Sequence, residues 1–158
     1  MFSRFSIQTR LSSVEAEEIL RRLVRPNVSF FKPDPTTIDA RPFVGRVGEG
    51  SFKFHRVITG RNSFLPITSG HIVQAEGGAV VRGQMRLAVA VAVVMTLWMG
   101  MTVTAAVKEL PKEIAEHNIT EAISLAFFPL FGAVLIAVGY YPERRKVLRL
   151  LSDAFFTH

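Results

Sequence analysis

The chain has 158 residues, 49% of them hydrophobic, and no cysteine, so it has room for one small folded domain beside any membrane segment and excludes disulfides, thiolate metal sites and cysteine nucleophiles. The net charge of +6 raises nucleic acid as a partner. The cations, however, gather beside apolar segments rather than in a domain of their own, so the pattern predicts no nucleic-acid partner.

At the N-terminus Phe5, Ile7 and Thr9 alternate with Ser6, Gln8 and Arg10, the period of a strand with one buried face. The first residues lack the apolar core of a signal peptide. A helix over residues 13–25 follows. Ser12 and Glu15 have capping-box spacing, Glu17–Arg21 and Glu18–Arg22 are i,i+4 pairs, Ala16, Ile19, Leu20, Leu23 and Val24 form the apolar stripe, and Pro26 ends it. Pro33 and Pro35 make Lys32 to Ala40 an ordered loop. Five short strands come next: Phe43 to Val47, Phe52 to Ile58, Phe64 to Thr68, His71 to Glu76 and Ala79 to Met85, separated by glycine turns. Residues 1–86 therefore read as a cytoplasmic α+β domain, a small antiparallel sheet with one covering helix.

Two uncharged apolar runs, Leu87 to Val107 and Ala122 to Tyr141, are each about 20 residues long, enough to cross a bilayer as helices. They define a transmembrane hairpin over 87–141 with an outer loop at 108–121. Within that loop Pro111 is placed to begin a short helix and Thr120 to cap the second span. Pro129 bends the second span, and Tyr140 and Tyr141 mark its interface. Gly100 with Thr104, and Ala133 with Ala137, have the four-residue spacing of helix-packing positions. The remaining tail, 142–158, interleaves Val147, Leu148, Leu150, Leu151 and Phe155 with cations, the composition of a C-terminal amphipathic helix at a membrane surface.

Charge fixes the expected orientation. Residues 1–86 hold 13 Lys and Arg against 7 Asp and Glu, the loop 108–121 holds 2 against 4, and the tail holds 4 against 2. By the positive-inside rule both termini stay in the cytoplasm. Arg82, Arg86, Arg144, Arg145, Lys146 and Arg149 are then placed to meet lipid headgroups.

No pattern predicts catalysis, a cofactor or a metal. His55, His71, His117 and His158 are scattered without metal-ligand spacing, Gly45, Gly48 and Gly50 precede a strand rather than a helix, and Asp34 and Asp39 lie in the Pro-rich loop. Neither span carries Asp, Glu, Lys, Arg or His, which argues against a proton relay or ion pathway. The most distinctive local sequence is Arg61-Asn62-Ser63-Phe64-Leu65-Pro66, followed by Gly70, Gly77-Gly78 and Met85-Arg86-Leu87 at the first span. An Arg-Asn-Ser-Phe-x-Pro motif in a β-rich domain feeding a two-span hairpin resembles a group of uncharacterised bacterial small membrane proteins. The resemblance implies a bacterial origin and a role without catalytic side chains. The motif itself reads either as a structural corner, through Asn62, Ser63 and Pro66, or as a partner or ligand contact made by Arg61, Asn62, Ser63 and Phe64.

The expected function is that of a non-enzymatic integral membrane protein of the bacterial inner membrane, an accessory or structural subunit of a larger complex. Its expected partners are membrane lipids and other membrane subunits or further copies of itself. The alternative is a lipid- or small-ligand-binding membrane protein with an apolar pocket in the sheet domain.

Overall fold

A computed structural model of the chain describes residues 2–26 and 41–156; the predicted loop Lys32–Ala40, with Asp34 and Asp39, and His158 lie outside them. The alternating N-terminal run forms β1 (Phe2–Thr9) and the capped segment forms α1 (Ser13–Leu23). The capping box closes as its spacing requires: Ser12 Oγ accepts from the Glu15 amide at 3.3 Å and the Ser12 amide donates to the Glu15 carboxylate at 2.8 Å. Both i,i+4 pairs form, Glu17 with Arg21 at 2.6 Å and Glu18 with Arg22 at 3.3 Å.

The helix stops before Val24 because Val24–Pro26 extend into a strand, β2, which the sequence does not announce. β2 runs parallel to β3 (Phe43–Gly48), so the sheet is mixed rather than wholly antiparallel. Pro26 is tolerated because β2 is an edge strand. β4 (Ser51–Arg56), β5 (Ile67–Ala75) and β6 (Gly78–Arg86) continue as the predicted meander, and β6 closes onto β1. The strand order is β1-β6-β5-β4-β3-β2, which makes α1 cross the sheet from one edge to the other.

The strands predicted at Phe64–Thr68 and His71–Glu76 are one strand, β5, that passes straight through Gly70. Gly70 pairs with Gly83 on β6, and a Cβ on either would strike a ring, Phe52 Cζ at 2.6 Å for Gly70 and Phe5 Cζ at 2.5 Å for Gly83. These glycines are the floor under two phenylalanines, not turns.

α2 (Val89–Ala115) and α3 (Ile119–Phe156) form the hairpin. The expected loop of 108–121 contracts to residues 116–118: Pro111 lies inside α2, and Thr120 lies in the first turn of α3. The expected separate tail helix is the continuation of α3, which runs through Pro129 and Pro142 without a break. Its apolar side does not face a membrane surface. Val147, Leu151 and Phe155 are buried with Phe43, Phe54, Val81 and Met85 of the sheet and Ala16 and Leu20 of α1 in a single core. Burying each such side chain contributes about 1.5–3 kcal/mol, which outweighs what a solvated interfacial position offers.

Candidate functional site

Three regions bear on function: the exposed hairpin, the border where it leaves the sheet, and the sheet face that no helix covers. In the hairpin both helices are long and apolar enough to cross a membrane, and only 6% of the apolar window of each is buried. A core helix of a soluble protein would be mostly buried instead. The helices approach each other closely at Gly132, where a Cβ would meet Met99 Sδ at 2.6 Å and Trp98 at 3.6 Å. The four predicted packing positions do not make this contact: Gly100 faces open space, Thr104 and Ala133 are exposed, and Ala137 is half-buried. Four-residue spacing selects a helix face without saying which face meets the neighbour.

At the border the motif loop folds onto α3. Asn62 Oδ1 accepts from the Phe64 amide at 2.9 Å, while its Nδ2 donates to the Gly139 carbonyl at 3.0 Å. Pro142 brings no N–H to the carbonyl of Val138, so acceptors of this turn are loosened, and Asn62 supplies a donor beside it. Phe64 packs on Gly139, where a Cβ would sit 2.8 Å from Phe64 Cβ. The structural-corner reading therefore describes Asn62 and Phe64, and of the four motif residues only Arg61 and Ser63 are exposed.

At the next residue of α3, the buried Tyr140 hydroxyl donates to the Met85 carbonyl at 3.0 Å, so Tyr140 is a joint with the end of β6 and only Tyr141 is exposed. Glu143 accepts from Arg56 Nε at 2.6 Å and from Lys146 Nζ at 3.0 Å. The Arg56 hydrogen bond holds the Glu143 carboxyl below its ordinary value, against the opposing effect of burial. Arg144 Nε donates to Ser3 Oγ at 2.8 Å. Of the tail cations expected at headgroups, Arg144 is thus engaged with the domain, whereas Arg145, Lys146 and Arg149 are exposed, Lys146 beside Glu143 on its own helix.

Among the described residues no element covers the face of the sheet opposite α1 and α3. Register places Gln84, Ser69, Lys53 and Arg46 in one row across β6, β5, β4 and β3, with Arg4 beyond Gln84 on β1. The next row holds Arg82, His71 and Ser51, and Arg86 ends β6 above them. Arg4, Arg46, Lys53, His71, Arg82, Gln84 and Arg86 are all exposed. A shallow cleft of about 500 Å³ lies among Arg4, Ser51, Ser69, His71, Arg82 and Gln84. His55 is half-buried near Arg25, and burial first, then that charge, lowers its pKa, which keeps the imidazole neutral at physiological pH.

No protein-family model, curated protein or solved structure matches the chain. Its function therefore rests on the geometry.

Among the described residues no three His, Asp or Glu side chains stand close enough to hold a metal ion. The space between the sheet and its helices, where the alternative reading places an apolar pocket, is filled by Phe43, Phe54, Leu20, Val81, Val147 and Leu151, each almost fully buried. Sequence reasoning singled out Arg82 and Arg86 but missed that Arg4, Arg46 and Lys53 share their face. The signal was present: in β3, β4 and β6 the cations alternate with Phe43, Phe52, Phe54, Val81 and Met85, and register alone was needed to line them up.

Proposed function

We propose that this is a non-enzymatic integral protein of a bacterial inner membrane, an accessory subunit whose hairpin holds the sheet domain at a set height on the cytoplasmic side. The observation that supports it most is α3, which is an exposed apolar helix for its first half and part of the sheet's core for its second. An exposed apolar surface of this size belongs against lipid or another apolar partner. The spans hold no Asp, Glu, Lys, Arg or His between Leu87 and Val107 or between Ala122 and Tyr141, so they anchor rather than conduct. Arg61, Arg86 and Arg145 lie near the border, where cations favour the cytoplasmic leaflet and its anionic headgroups.

The absence of cysteine makes the test clean. In cells, Lys112→Cys is expected to react with a membrane-impermeant maleimide from outside, and Arg149→Cys only after the membrane is opened. The reverse pattern overturns the orientation, and release of the protein by alkaline carbonate overturns the spans. After mild detergent extraction, native mass measurement is expected to find other protein subunits bound; a lone monomer overturns the accessory role.

A further inference from the structure

We propose that the open sheet face is a docking surface for a carboxylate-rich segment of a cytoplasmic protein. Its charged side chains are of one sign among the described strand residues. Its outward positions on β3, β4 and β6 carry Arg46, Lys53, Arg82 and Arg86, and no outward position among the described strand residues carries a carboxylate. Of the chain's own carboxylates, Glu17 and Glu18 pair on α1, and Glu143 pairs on the covered face. Arg46, Lys53, Arg82 and Arg86 have no carboxylate within ion-pair reach among the described residues. Charge complementarity therefore specifies an anionic occupant.

Geometry selects among anions. α3 lies along the strands, since Tyr140 meets Met85 at one end of β6, while Phe155 lines a cleft with Thr9 and Ala79 at the other. With α3 continuing as a span, the open face stands edge-on to the bilayer. The Lys53 row sits about 7 Å and Arg82 about 13 Å beyond Arg86 along the strand direction, so a flat headgroup layer that touches Arg86 meets one end of the patch rather than its length. Single-stranded nucleic acid binds best where rings can stack on its bases. Here Phe5, Phe43, Phe52 and Phe54 belong to the covered face, and no Phe, Tyr or Trp ring is present on the open one among the described side chains. What remains is a row of cations and hydrogen-bonding groups, Gln84, Ser69, Lys53 and Arg46, about 14 Å across at ordinary strand spacing, suited to an extended acidic peptide crossing the strands.

The proposal rests on the membrane-anchored reading for the compartment of the partner and for setting headgroups aside, and binding is tested apart from it. Full-length protein in phosphatidylcholine nanodiscs is titrated with fluorescein-labelled decaglutamate, with decauridylate and with phosphatidylglycerol vesicles. Decaglutamate is expected to bind, with affinity falling as salt rises. The triple change Arg46→Gln, Lys53→Gln, Arg82→Gln is expected to weaken it about tenfold, whereas Arg10→Gln, Lys108→Gln, Lys112→Gln, which removes equal charge elsewhere, leaves it within about twofold. All six side chains are exposed, and the charge-preserving Lys53→Arg, Arg82→Lys variant is expected to retain binding. Absence of binding, equal loss in both triple variants, tighter binding of decauridylate through the same three residues, or binding to the vesicles alone overturns the proposal. Carbonate extraction of the same protein reports separately on the anchor.

Discussion

Asn62 uses both ends of its amide, one to shape its own loop and one to hold α3, so its removal is felt at two places. Asn62→Ala is expected to lower stability by about 1–2 kcal/mol, and Arg61→Ala, at an exposed neighbour, to change it by less than about 0.5 kcal/mol. Thermal unfolding in detergent separates them, and an equal loss from both would refute the latch. Glu143 carries a pH signature. Its side chain is 10% exposed and that of Arg56 is 22%, so losing the charge leaves the guanidinium poorly compensated. At pH 7 Glu143→Gln is expected to cost about 2 kcal/mol. Because the folded carboxyl titrates below its ordinary value of 4.5, the contribution is complete above that pH and is lost as pH falls through the folded value. Parent and variant should converge in melting temperature in acid, and a gap that does not narrow as the pH falls below 4.5 would show that the ion pair is not its source. The motif was conspicuous in the sequence, but its role was not: nothing local in Arg61 to Pro66 names Gly139 as the acceptor 77 positions away.

Elements were legible where local chemistry decides them and obscure where distant contacts do. The capping box and its i,i+4 pairs fixed α1 through neighbours a turn apart. The hairpin was legible from uninterrupted apolar runs. By contrast, Gly70 read as a turn because the ring of Phe52 that covers it comes from another strand, and β2 was hidden because three residues ending in Pro26 look like a helix stop until a parallel partner is present. The C-terminal segment has amphipathic periodicity that fits a membrane surface and a sheet equally well. Tertiary packing settled it for the sheet. Leu151→Ala is accordingly expected to destabilise the sheet domain by about 3 kcal/mol, and the outward Leu150→Ala by under 1 kcal/mol. Limited proteolysis of β1–β6 reads the difference. Were residue 151 in lipid rather than in the core, the two variants would be cleaved alike.

At the scale of the whole molecule, the hairpin is joined to the sheet twice. The chain passes from Arg86 into α2 across two residues, and it returns through α3, whose Gly139 and Tyr140 are bonded to the domain and whose Val147, Leu151 and Phe155 form part of its core. A single two-residue joint is a pivot, whereas a continuous helix laid along the strands resists pivoting. A flexible Gly-Ser hexapeptide inserted after Ala88 is therefore expected to leave the domain's orientation intact, since lengthening a loop costs only about 0.6 kcal/mol per doubling. The same insert after Tyr141 divides the part of α3 in the core from the part in the span and should release the domain. Spin labels at Glu76→Cys and Lys112→Cys, both exposed in a chain without other cysteines, report the distance between sheet and hairpin tip. The distribution is expected to stay narrow for the first insert and to broaden for the second. Equal broadening would assign the rigidity to the junction of β6 and α2, leaving α3 as part of the core but not as the strut that sets the height of the open face.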